Sequence, residues 1–159
     1  MNIGIIVFSR TGNTMQVAEK LRNAVETLEH TAVIRRVHAQ DEDPNSKQPV
    51  RLTDAPDPSR FDRVVFCGPV QGFALTGIMK NYMAQLPRMD GKQVELLVTQ
   101  HFPKAWMGGR QALAYMRKRC LYKGAEVIAE GNVNWMNKAR GTQIDTVVAA
   151  LAERMGTAL

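Results

Sequence analysis

The sequence predicts an α/β protein built on one five-stranded parallel sheet, order 2-1-3-4-5, with helices on both faces. Five short apolar runs alternate with four amphipathic segments at helical spacing. The runs at 3–8, 63–68 and 93–99 are nearly continuous in Val, Ile, Leu and Phe, as strands buried on both faces are. Right-handed crossovers and short connections then leave few topologies. At 159 residues and 45% hydrophobic content, the chain suits a single domain over 1–159 with a substantial core.

Ile3–Phe8 reads as the first strand. Asn13–Leu28 follows as a helix with Val17, Leu21, Ala24, Val25 and Leu28 on one face. Thr31–Val37 is the second strand, and Arg35 and Arg36 place it at a sheet edge, where charge discourages strand addition. Residues 38–60 carry Pro44, Pro49, Pro56 and Pro58 and read as a long polar connection with one helical turn and a mobile centre. The third strand is Arg63–Gly68. Leu75, Ile78, Met79, Tyr82, Met83 and Leu86 then mark a helix ending near Pro87. Gln93–Thr99 is the fourth strand, and Gly109–Tyr122 a helix with Gly124 just beyond its end. Ala125–Glu130 is the fifth strand, and Ile144, Val147, Val148, Leu151 and Met155 form the inner face of the last helix.

In a sheet of this order, ligands bind beyond the carboxyl ends of the strands, where the strand order reverses. That rule selects three loops: 9–14, 68–74 and 100–108. The first reads Ser9-Arg10-Thr11-Gly12-Asn13-Thr14 between a strand and a helix start. Free backbone N–H groups and the helix dipole there favour an anion, and Ser9, Thr11 and Thr14 add hydroxyls. Gly12 lets the backbone approach a ligand or take a positive φ. Arg10 adds a cation beside the anion. The loop lacks the glycines of the dinucleotide fingerprint and the Gly-Lys-Ser/Thr of a P-loop.

This stretch closely resembles the Ser/Thr-x-Thr-Gly-Asn-Thr loop of flavodoxins. The resemblance implies that the loop binds the phosphate of FMN. The second loop, Gly68-Pro69-Val70-Gln71-Gly72-Phe73-Ala74, is similar to the Pro-Val-x-x-Gly loop of that family, with Met79-Lys80 at its Leu-Lys position. It implies backbone contacts to the flavin ring, with Gly72 the candidate for a redox-linked peptide flip. The third loop runs from Gln100 and His101 to Gly108 and holds Phe102 and Trp106, either of which is a candidate to stack on the ring. His101 is a candidate partner for the pyrimidine edge or a proton donor. Two departures stand out. The aromatic that often follows Pro-Val-x is replaced by Gln71-Gly72, and the chain is basic where electron-carrying flavodoxins are acidic.

The net charge is +6, unevenly spread. Residues 1–59 hold 7 basic and 8 acidic side chains, and residues 60–159 hold 14 and 7, so the excess lies in the later part, with a knot at Arg117-Lys118-Arg119. Aromatic content of 6% and the absence of a nucleic-acid motif argue against nucleic acid. No apolar run approaches the roughly 20 residues of a membrane span. No secretory signal opens the chain, which points to the cytoplasm. Cys67 and Cys120 form no Cys-x-x-Cys pair and imply neither a metal site nor a disulfide framework. A receiver domain is excluded by Phe8-Ser9 and Cys67-Gly68 where acidic residues are required. A low-molecular-weight phosphatase is excluded because Phe73, not Arg, stands six positions after Cys67. The expected protein is an FMN-binding, flavodoxin-like electron-transfer protein with an acidic redox partner. Its alternatives are a reductase using NAD(P)H or a quinone, and a non-catalytic flavin or phosphate-ligand module.

Overall fold

The computed structural model describes residues 1–156; residues 157–159, the end of the span expected as one domain, lie outside the described residues. The elements follow in the order β1 (Asn2–Val7), α1 (Asn13–Glu26), β2 (Thr31–Arg36), β3 (His38–Ala39), β4 (Leu52–Asp54), β5 (Arg63–Gln71), β6 (Ala74–Leu75), α2 (Gly77–Ala84), β7 (Gln93–Gln100), α3 (Gly109–Tyr122), β8 (Glu126–Asn134) and α4 (Arg140–Gly156). A 3-10 turn, Pro58–Arg60, precedes β5.

The main sheet has six strands. Five run parallel as β2-β1-β5-β7-β8, and β6 pairs antiparallel with the end of β5. The expected count of five strands is therefore corrected. The extra strand arises because Gly72 and Phe73 take φ of 58° and 62°. Two adjacent residues in that region make the tight turn that closes a two-residue hairpin. The stretch expected as an open loop is thus mostly strand, and α2 starts at Gly77, not Leu75. Thr76 sets that start, its hydroxyl accepting from the Met79 N–H at 3.4 Å.

The 38–60 connection contains the one helical turn expected of it, Pro58–Arg60, and adds a paired ribbon that was not expected. Its ends pair as a separate β3–β4 ribbon, and Glu42 folds back to accept from Ala39 N–H at 3.2 Å, with His38 Nδ1 beside it at the same distance. Val37, Ala39 and Phe61 then bury against the sheet in place of a crossover helix. The Phe61 ring occupies the space a Cβ on Gly4 would fill, which explains a glycine within the apolar first strand.

Two apolar layers enclose the sheet. On one face α1 and α4 bury Val17, Leu21, Ile144 and Leu151 against Ile3, Ile5, Val65 and Leu97. On the other, α2 and α3 bury Met79, Met83 and Met116 against Ile6, Phe66, Leu96 and Val98. Each wholly buried aliphatic side chain contributes about 1.5–3 kcal/mol relative to exposure.

Two charged residues enter the first of these layers at the amino ends of the strands. Arg63 is nearly buried and its Nη1 donates to the carbonyls of Met155 at 2.6 Å and Arg154 at 3.3 Å, closing the end of α4. Glu95 is fully buried, and neither carboxylate oxygen has a hydrogen-bond partner among the described residues. Burial pushes its carboxyl up to about 8, partly opposed by Arg154 and Arg63.

No helix of the described residues is long and apolar enough to cross a membrane.

Candidate functional site

The carboxyl ends of β1, β5, β7 and β8 meet at a cleft of about 250 Å³. Arg10, Thr11 and Asn13 line one part of it. Pro69, Val70, Gln71 and Thr76 form a ledge, and Thr99, Gln100, His101 and Trp135 complete the wall.

The anion-binding part is built by a tight turn into α1. Gly12 takes φ 95° at the helix cap, a conformation that costs a side-chain-bearing residue energy. Met15 N–H donates to Ser9 Oγ at 3.1 Å, and Gln16 N–H to Gly12 O at 2.9 Å. The backbone N–H groups of residues 11–14 have no partner among the described residues. They lie where the helix dipole is positive, and Arg10 beside them forms no ion pair among the described residues. Unpaired donors facing an open cleft are the chemistry a phosphate needs.

Ser9 and Thr14 stand behind this cradle. Both are buried, and Thr14 Oγ1 shares a hydrogen bond with Thr99 Oγ1 at 2.7 Å. Arg36 Nη2 donates to Ser9 O at 3.2 Å. The two hydroxyls brace the loop, while Thr11 lines the cleft.

Gln100 spends its amide on its own loop. Its Nε2 donates to the carbonyls of Phe102 (2.5 Å) and Lys104 (2.7 Å), and its Oε1 accepts from Asn132 Nδ2 at 2.9 Å. A Cβ on Gly109 would strike this pair, which is why α3 can begin so close to β7.

Of the residues predicted from sequence, the structure brings Arg10, Thr11, Asn13, Pro69, Val70, Gln71, Gln100 and His101 to the cleft. Gly12 shapes the cradle from its cap. Gly72, Phe73, Phe102 and Trp106 do not line the cleft; the three aromatics stand exposed at its rim. Phe73 stacks on Phe102, with ring centroids 5.9 Å apart and planes at 20°. Sequence reasoning missed Thr76, Thr99 and Trp135. Trp135 follows β8, its backbone N–H donating to Gln100 O at 2.7 Å, and Arg140 lies over its ring at 4.7 Å. Ending the fifth strand at Glu130 hid it; the aromatic in Asn134-Trp135-Met136 at a strand's carboxyl end was the available signal.

Comparison with protein-family models gives no match, and comparison with curated proteins gives none either. Solved structures do match. Two-electron reduced flavodoxin from Megasphaera elsdenii superposes with a TM-score of 0.68 at 22% identity, over 95% of this chain and 98% of that one. A Streptococcus pneumoniae flavodoxin gives 0.69 at 16% identity, over 98% and 97%. A flavoprotein in complex with FMN from Lactobacillus acidophilus gives 0.63 at 14% identity, over 92% and 97%. The protein has the flavodoxin-like fold.

Proposed function

We propose that the protein binds FMN in this cleft and serves in electron transfer. The observation that carries the reading is the pairing of two unlike surfaces in one cleft. One end offers unpaired N–H groups at residues 11–14 beside Arg10; the other offers an apolar ledge, Pro69 and Val70, facing His101 and Trp135. A phosphate joined to a flat, partly apolar ring system matches that pairing, and a bare anion leaves the ledge unused. The volume lies slightly below the roughly 300–1,000 Å³ of enclosing ligand sites, which suits a ring held at the cleft mouth.

In this reading the loop 10–14 and Thr11 hold the phosphate, and Ser9 and Thr14 keep that loop in shape. Residues 69–71, His101 and Trp135 flank the ring. FMN, when bound, supplies the one- and two-electron chemistry; the chain supplies orientation, charge and exclusion of water.

Titration of the purified chain with FMN, read by quenching of flavin fluorescence, tests the proposal. Saturable binding at micromolar FMN is the expected result. No binding at that concentration removes the reading.

A further inference from the structure

Exposed apolar side chains are concentrated at one place. Of the eight large ones among the described residues, Phe73, Phe102, Trp106 and Met136 lie on three loops beside the cleft. These loops are tied together: Met136 N–H donates to His101 O at 3.1 Å, and Asn134 Nδ2 to Pro103 O at 3.0 Å. Phe73 reaches Phe102 from a left-handed backbone conformation, φ 62°. That conformation is unfavourable for a bulky residue, and such strain gathers at functional places.

The same rim carries exposed cations: Lys104, Arg110, Lys138 and Arg140. None forms an ion pair among the described residues. Residues 96–125 and 131–144, which include two of the three rim loops and α3, contain no Asp or Glu. The acidic run Asp41-Glu42-Asp43 lies beyond the other side of the cleft, bordering a hollow it shares with Arg10 and Gln71.

We propose that this rim is the docking surface for an acidic redox protein, with Phe73, Phe102 and Trp106 at its centre and Lys104, Arg110 and Lys138 around it. The inference rests on the FMN reading and adds the partner's chemistry and landing place. The rim aromatics stand outside the cleft, and small molecules take concave sites, so a protein face fits better than a nucleotide. An apolar centre ringed by one sign of charge supplies desolvated contact in the middle and steering at the edge. Each docking passes one electron. With FMN held as proposed, each reduced [2Fe–2S] donor would give up one electron at this rim, so two dockings would supply the two electrons that the cofactor takes up with protons from water.

The test uses an acidic plant-type [2Fe–2S] ferredoxin as probe and basic cytochrome c as its opposite. Binding of each to the FMN-free and FMN-loaded chain is measured by calorimetry at low ionic strength and at about 0.15 M salt. Ferredoxin is expected to bind both forms, more weakly in salt, and cytochrome c is not. Lys104→Glu with Arg110→Glu is expected to weaken ferredoxin binding about tenfold, or by 1.4 kcal/mol, with FMN affinity and melting temperature unchanged. Trp106→Ala is expected to weaken it in both salts, as loss of an apolar contact does. Equal binding of ferredoxin by parent and double variant, no ferredoxin binding at all, or cytochrome c binding as well as ferredoxin overturns the proposal. So does a double variant that loses affinity for NADPH in place of ferredoxin. If ferredoxin binding responds as expected while FMN titration fails, the surface stands and the cofactor reading falls.

Discussion

Thr14 and Thr99 join hydroxyl to hydroxyl at 2.7 Å, both side chains buried, across 85 residues of sequence. The bond ties the first turn of α1 to the carboxyl end of β7, just before the 101–108 loop. It sets the spacing between the anion cradle and the opposite wall of the cleft.

Thr99→Val is therefore expected to destabilise the protein by about 1–3 kcal/mol, because the Thr14 hydroxyl is left buried without a partner. Thr14→Val with Thr99→Val is expected to regain much of that loss, since no polar atom is then stranded. Urea unfolding of the two single variants and the double variant measures the coupling. Strictly additive losses contradict the pairing.

Arg10→Ala is expected to lower FMN affinity about tenfold, the loss of one charge-assisted contact to phosphate. Riboflavin has no phosphate, so its affinity is expected to stay unchanged. Parallel fluorescence titrations with the two ligands give the comparison. An equal loss for both assigns Arg10 to the ring, or to the fold, and not to the phosphate.

Phe73→Gly is expected to keep or raise stability, by up to about 1 kcal/mol, because glycine takes φ 62° at no steric cost. The same change removes the ring that stacks on Phe102 and is expected to weaken docking of the acidic probe. Thermal unfolding and probe binding, measured together, separate the two effects. A clear drop in melting temperature shows that the ring stabilises the hairpin.

Glu95 makes stability depend on pH in a stated direction. The folded state holds this carboxyl protonated up to about pH 8, while an ordinary glutamate ionises near 4.5. Unfolding therefore releases a proton between those values, and stability falls with rising pH by about 1.4 kcal/mol per unit across that window. Below it both states are protonated, and above it both are ionised, so the slope disappears. Glu95→Gln is expected to flatten this part of the profile and to melt above the parent at pH 9. Identical slopes in melting temperature from pH 5 to 8 contradict the assignment.

The parts of the fold and site that are legible in the sequence are those set by local pattern. Ser9 to Thr14 can be read because strand, glycine and helix start are adjacent in the chain. The inner face of α1 follows helical spacing as far as Val25, while Leu28, expected on that face, lies beyond the helix and is exposed; the edge position of β2 follows from Arg35 and Arg36. The hairpin at Gly72-Phe73 is not legible, because a phenylalanine gives no signal for positive φ; only its packing on Phe102 reveals why it is there. Thr99 and Trp135 escape for another reason. Their roles come from partners 85 residues away in Thr14 and across the sheet in Gln100, and no spacing within one segment encodes either. Glu95 escapes as well: the strand 93–99 reads as buried on both faces, but nothing within it signals a carboxylate held under the layer of α1 and α4 with Arg63 and Arg154 as its nearest cations.

All the loops that line the cleft leave the sheet at its carboxyl end, while at the amino end Arg63 holds the last turn of α4. The cleft therefore has a single doorway. If the cleft holds FMN as proposed, an electron donor and an electron acceptor would have to use that doorway in turn, as a ferry serves two banks. Steady-state kinetics with a donor and an acceptor should accordingly give the parallel-line pattern of alternating visits.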